Sequence, residues 1–169
     1  MFRPVLGVGG DDAAPVAVDL EPGRPWLVCG PPESGRSTVL AAVAAQATGP
    51  VLRVGADEAP PSSASLAGLA AGTLVLVDDA EQLDAATAEA LVAVLAQHRG
   101  VVATSTAAVQ TAYRGVLATV AQARTVVALG GALPPHCAHA RPACDPAGGA
   151  GRAVVVIGTA ASALQVAHP

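Results

Sequence analysis

The sequence predicts an α/β protein: a doubly wound, mostly parallel sheet with helices on both faces, an amino-terminal β-hairpin and antiparallel closing strands. Three observations predict it. Short apolar runs of strand length alternate along the chain with longer helical segments, the pattern of successive strand-helix-strand units. Just over half of the 169 residues are apolar, yet the aromatics are only Phe2, Trp26 and Tyr113. The interior is therefore built from Val, Leu and Ala, as strands covered on both faces require. Finally, a glycine-containing turn joins the apolar run Trp26-Leu27-Val28-Cys29 directly to a helix. The length suits one domain spanning residues 1–169, whether alone or as a segment of a longer protein.

The elements follow in order. Residues 4–8 and 15–20 alternate weakly around a Gly-Gly-Asp-Asp turn and read as the hairpin. Residues 26–29 are a buried strand, and residues 37–48 form the next helix, stopped by Gly49-Pro50. A second short strand covers 51–54. Residues 55–65 are polar, contain prolines and read as loop, with a brief helix near 65–71. Leu74-Val75-Leu76-Val77 is a continuous apolar strand ending in Asp78-Asp79. Asp84 caps a helix running to about Gln97, with Leu91, Val94 and Leu95 on one face. Residues 101–104 form a strand, 107–124 a helix and 125–129 another strand. Residues 130–151 carry little pattern and much Gly and Pro. Residues 153–157 and 163–166 close the chain as two strands joined by a turn of small residues.

Composition narrows the function classes. The formal charge is −4 and the pI is near 5.4, whereas a domain that grips DNA by itself usually presents a basic face. Nine arginines are scattered and there is no lysine, so DNA binding by the chain alone is disfavoured. No apolar h-region follows Met1-Phe2-Arg3-Pro4, and no stretch has the character of a membrane span. A cytoplasmic location without membrane insertion is expected. Cys29 reads as a small core residue. His136, Cys137, His139 and Cys144 crowd four ligand types into nine residues. Structural zinc sites divide their ligands between two separated pairs, so this segment reads as a variable loop.

The chemistry lies in the turn. Gly30, Pro31, Pro32, Glu33, Ser34, Gly35, Arg36 and Ser37 follow the Walker A pattern, except that Arg36 stands where lysine is expected. Pro31 and Pro32 donate nothing, but the N–H groups from Glu33 to Thr38 and a helix amino terminus converge on one spot suited to phosphate. A guanidinium is wider than an ammonium and reaches further, so Arg36 binds phosphate without occupying the same point. Losing one well-placed stabiliser of transition-state charge costs about 10²–10³ in rate. Glu33 adds a carboxylate that points to solvent or pairs with Arg36 when the pocket is empty.

Asp78, at the carboxyl end of its strand, is the Walker B candidate. With the Ser37 hydroxyl it offers the oxygen ligands Mg²⁺ takes beside nucleotide phosphates; alternatively, Asp78-Asp79 caps the following helix. Asp79 stands where the carboxylate that polarises an attacking water is expected, one methylene shorter than glutamate, with Glu81 as the alternative. In the strand order usual for P-loop ATPases with an added strand, residues 101–104 lie between the two motif strands. Thr104 or Ser105 then projects towards a γ-phosphate as a sensor; equally, Thr104-Ser105-Thr106 begins the next helix as its cap.

These residues resemble the FtsK/SpoIIIE family of motor domains. The resemblance runs from the hairpin through the loop of residues 30–38, Leu74-Val75-Leu76-Val77-Asp78-Asp79-Ala80-Glu81 and Val101-Val102-Ala103-Thr104-Ser105. It continues through Tyr113-Arg114-Gly115 to Gly151-Arg152-Ala153-Val154. The chain looks most like the degenerate carboxyl-terminal ATPase domain of actinobacterial members, including the EccC/EssC ATPases of type VII secretion. The resemblance implies a RecA-like fold, ATP and Mg²⁺ as ligands, and hexameric or tandem assembly with other ATPase domains or subunits. It also implies DNA or a secreted protein as the substrate moved by that assembly, whose parent protein is membrane-anchored in some members. Arg36, Asp79, a short connection between the two Walker motifs and Thr104-Ser105-Thr106 depart from the pattern of active DNA motors. Three readings follow. The first is an ATP-binding translocase domain with weak or absent hydrolysis; the second is an active DNA motor. The third is a pseudo-ATPase interaction module without nucleotide.

Overall fold

The strands of the chain are β1 (Val5–Gly9), β2 (Ala14–Ala17), β3 (Trp26–Cys29), β4 (Val51–Val54), β5 (Leu74–Val77), β6 (Arg99–Thr104), β7 (Thr125–Leu129), β8 (Arg152–Ile157) and β9 (Ala160–Val166). They form one sheet in the order β2-β1-β9-β8-β7-β3-β6-β5-β4. The computed structural model describes residues 1–55, 58, 60–144 and 151–167. The predicted loops at 56, 57, 59 and 145–150 lie outside the described residues.

The sheet has two halves. From β4 to β7 all neighbours are parallel, and β6 lies between β3 and β5, the position predicted for residues 101–104. From β7 to β2 every pairing is antiparallel. The amino-terminal hairpin is thus stitched onto the last strand, with Gly7 opposite Val166.

Alternation along the strands shows why the sequence folds this way. Leu27, Cys29, Val75, Val77 and Val102 point to one face, where they meet Leu91 and Leu95. Trp26, Val28, Leu74, Leu76 and Val101 point to the other, where they meet Val39, Leu40 and Val43. Both parities are apolar because both faces are covered. The helices are α1 (Arg36–Ala45), α2 (Ser63–Ala67), α3 (Ala85–Leu95), α4 (Thr106–Thr111) and α5 (Gly115–Val120). Asp84 caps α3 as expected, accepting from the N–H groups of Ala86 and Thr87 at 3.0 and 2.9 Å. The Thr87 hydroxyl donates to it as well, and these bonds hold its carboxyl below the usual range. The Gln46 amide clasps β1: it accepts from Val5 N at 2.8 Å and donates to Val5 O at 2.9 Å.

Two elements differ from expectation. The single helix predicted over 107–124 is broken between α4 and α5, where Ala112 and Arg114 are extended and Gly115 takes φ 65°. That left-handed angle favours glycine and turns the chain so that α5 packs on α3. Within the pattern-poor stretch, Pro135–Ala143 forms a 3-10 helix that buries Cys137 and Ala140. Proline at its start is tolerated because the first N–H of a helix has no internal partner.

Candidate nucleotide-binding site

The Gly30–Ser37 loop leaves the carboxyl end of β3 and enters α1, the strand-loop-helix geometry expected. Gly30 admits no side chain: a Cβ there would stand 2.6 Å from Ser34 Oγ and 2.9 Å from Leu129 Cβ. Gly35 is the amino cap of α1 and supplies no side-chain bond, so the first-turn N–H groups of Arg36, Ser37 and Thr38 have no partner within the helix. Ser34 N donates to Pro31 O at 3.3 Å, which removes one of the predicted donors from the run. Pro31, Pro32, Glu33 and Ser37 are exposed, while Ser34, Gly35, Arg36 and Thr38 are half-buried.

Glu33 does not pair with Arg36. It faces solvent in a left-handed conformation, φ 62°. A non-glycine residue there costs about 1–2 kcal/mol. Glu33→Gly is therefore expected to add about 1 kcal/mol of stability, offset in part by the freer unfolded chain, and to tighten phosphate binding by removing a negative charge. Urea unfolding and a phosphate titration check both effects; an unchanged or lower unfolding midpoint would contradict the strain.

The partners of Arg36 are the two carboxylates read as candidates for handling water. Its Nη2 donates to Asp79 Oδ1 at 2.7 Å and its Nη1 to Glu81 Oε1 at 3.2 Å, with the Arg36 side chain only 11% exposed. Thr104 Oγ1 donates to Glu81 Oε2 at 2.8 Å, and Ser105 N donates to Glu81 Oε1 at 3.1 Å. Burial works against ionising Glu81. The hydrogen bonds from a backbone N–H, Thr104 and Arg36, together with the Arg36 charge, outweigh it and lower the pKa. A fully bonded carboxylate results, at the carboxyl ends of β5 and β6.

The remaining candidates fall around this network. Asp78 follows β5 half-buried and accepts from Asp79 N at 3.0 Å. Asp79 takes φ 44° and is the amino cap of the 3-10 turn Ala80–Gln82, without a side-chain bond to it. Thr104 is wholly buried against Glu81, whereas Ser105 caps α4 by accepting from Ala108 N at 3.3 Å. The cap expected within Thr104-Ser105-Thr106 falls to Ser105. No hydrogen bond joins Ser37 to Asp78 among the described residues. A hydroxyl and a carboxylate still suit Mg²⁺, which completes its shell with water and phosphate oxygens.

Sequence reasoning missed the segment after β7. Gly130 packs beside Pro31, and Ala132 O accepts from Cys29 Sγ at 3.5 Å and Thr106 Oγ1 at 3.0 Å, tying it to the floor of the loop. Burial pushes the Cys29 thiol up to about 12, so it stays protonated and serves as packing. No cluster of three His, Cys, Asp or Glu among the described residues is arranged to hold a metal, and Cys137 is buried in the core. Arg114 lies 5.5 Å over the exposed Tyr113 ring, while Arg124 and Arg152 are exposed.

No family model and no curated protein matches the sequence. Solved structures do match the fold. The cytoplasmic domain of EssC superposes with a TM-score of 0.72 at 10% identity, over 99% of this chain and 44% of that one. The cytoplasmic domain of the type VII secretion ATPase EccC of Thermomonospora curvata gives a TM-score of 0.66 at 16% identity, over 99% and 26%. The fold is that of the EccC/EssC ATPase domains. A structure of ATPases 2 and 3 of T. curvata EccC in complex with a signal sequence peptide gives 0.64 at 16% identity, over 99% and 41%. The chain spans between about a quarter and a half of these EccC and EssC chains. No described helix is long and apolar enough to cross a membrane.

Proposed function

We propose that this chain is a cytoplasmic nucleotide-binding domain of an FtsK/SpoIIIE-type translocase in which hydrolysis is weak or absent. One observation carries the reading: Arg36 is paired with Asp79 and Glu81. A general base needs a free lone pair aimed at water, and here both carboxylates are engaged and charge-neutralised by the guanidinium. Residues 1–169 form one domain that works with other ATPase domains or subunits, and DNA or a secreted protein meets the assembly.

Phosphates would lie against the N–H groups of Gly35 to Thr38, at the positive end of α1. Ser37 and Asp78 would hold Mg²⁺, which supplies charge neutralisation there. That neutralisation is decisive. The loop and the ends of β5 carry Glu33, Asp78, Asp79 and Glu81, and Arg36 is already paired with two of them, so a metal-free nucleotide meets like charge. Calorimetry with ATP or ADP is expected to show binding in Mg²⁺ and a loss of at least about tenfold in affinity in EDTA, roughly 1.4 kcal/mol. Absence of heat and of any thermal shift at millimolar Mg²⁺-nucleotide would overturn nucleotide binding. It would leave the pseudo-ATPase interaction module, which the peptide-bound EccC structure favours as the second reading.

The active DNA motor is tested separately. With a net charge of −4 and no lysine, the isolated chain is expected to bind duplex DNA no tighter than the 10⁻⁴–10⁻⁶ M typical of non-specific contacts, about what counterion release from a few arginines supplies. A submicromolar dissociation constant at physiological salt, or DNA-stimulated phosphate release, would put the motor first.

A further inference from the structure

A phosphate loop divides its work between backbone and side chain. Its N–H groups cradle the first two phosphates of a nucleotide, and its basic side chain reaches on to the second and third. In this chain the two parts stand differently. The first-turn N–H groups of Arg36, Ser37 and Thr38 have no partner within α1. The guanidinium of Arg36, by contrast, is committed: Nη2 donates to Asp79 Oδ1 at 2.7 Å and Nη1 to Glu81 Oε1 at 3.2 Å. Both carboxylates are partly sheltered, with side chains 35% and 24% exposed. Thr104 Oγ1 and Ser105 N hold Glu81 in place from the other side. Reaching a third phosphate would draw the guanidinium off two partly buried carboxylates, and leaving such charges behind is costly. The same pairing puts Asp79 and Glu81 within one arginine side chain of the first residue of α1, and Asp78 directly precedes them.

We propose that the site prefers a nucleoside diphosphate to a triphosphate, and that the cluster of Arg36, Asp79 and Glu81 sets the preference. The inference rests on the reading of residues 30–38 as a nucleotide-binding loop and names the ligand class of that site. A diphosphate keeps the backbone contacts at the start of α1 and the Mg²⁺ that Ser37 and Asp78 would hold. A third phosphate brings further negative charge towards the acidic ends of β5. The side chain that ordinarily receives it is already shared between two carboxylates. The added phosphate thus gains no cation of the loop and meets like charge, which disfavours it in a partly dry site.

Calorimetry on the unaltered chain in millimolar Mg²⁺ compares ADP, ATP and the non-hydrolysable methylene analogue of ATP. ADP is expected to bind at least about tenfold tighter than either triphosphate, about 1.4 kcal/mol. The preference is electrostatic, so it narrows as salt rises from about 0.1 to 1 M and the screening length falls from about 10 to 3 Å. Asp79→Asn removes one facing charge and loosens one arm of the guanidinium. It is expected to move the ratio of affinities about threefold towards ATP, the scale of one partly exposed charge pair. Glu81→Gln supplies the same comparison should the first variant fold poorly. A triphosphate that binds as tightly as ADP overturns the preference and leaves nucleotide binding standing. Absence of binding by all three overturns nucleotide binding itself, and the preference with it. A preference that neither salt nor substitution changes overturns the cluster as its source.

Discussion

Arg36→Lys releases phosphate from ATP about 10- to 100-fold faster than the unaltered chain, while nucleotide affinity stays within about tenfold. The guanidinium bridges Asp79 and Glu81 because its two outer nitrogens diverge. An ammonium is one point charge and cannot serve both carboxylates while also reaching the phosphates. It relaxes towards the phosphate loop and leaves a carboxylate to orient water. Single-turnover phosphate release with saturating Mg²⁺-ATP measures the gain. An unchanged rate would mean that the missing element lies elsewhere, with the short Asp79 side chain or a neighbouring subunit next in line.

Arg36→Ala loses about 2–3 kcal/mol of stability at neutral pH, the scale of hydrogen bonds to charged groups whose partners are left behind. The loss has a pH signature. Glu81 has a lowered pKa in the folded chain, so its stabilisation is fully present above the ordinary glutamate value, about 4.3. It fades as pH falls through the lower folded value. In the alanine variant Asp79 and Glu81 have lost their shared cation, and protonation relieves that strain. The gap between the two chains therefore narrows below about pH 4.3. Urea midpoints at pH 7 and pH 3.5 decide the matter, and a gap that does not change with pH would show that Arg36 acts through packing alone.

Much of this was legible in the sequence, and the residues show why. The place of residues 101–104 between the two motif strands followed from the order usual for P-loop ATPases, whereas the pairing of β1 with β9 was not read from the sequence. Asp84 was equally readable as a cap, whereas α1 ends at Ala45, before the Gly49-Pro50 expected to stop it. The break at 112–114 was hidden because Ala, Val, Thr and Gln continue a helical period whether or not the backbone does. Only Gly115 marked it, and glycine within a helical pattern is an ambiguous sign. The 3-10 helix Pro135–Ala143 left no trace, since a three-residue period over mixed polar residues resembles loop. At the site, the candidates were legible individually but their pairing was not. Arg36 meets Asp79 and Glu81 across 43 and 45 residues, through a left-handed turn at Asp79 that composition does not encode. Local reading offered it Glu33 as one of two alternatives, the other being that Glu33 points to solvent, as it does.

The pairing of β1 with β9 sets a timetable for folding. The parallel strands and their helices lie in the middle of the chain and can collect as they leave the ribosome. The hairpin cannot reach its place until β9, about 150 residues further on, has appeared, because β1 hydrogen-bonds along residues 164–166. Until then its free edge is held only by β2, and an isolated two-stranded ribbon is marginal in water. Closing so long a loop is entropically slow, and non-local strand pairing of this kind lengthens folding times. The first strands of this domain are thus among its last to settle, and for that interval the apolar side of Leu6 stays open to whatever else the cell offers.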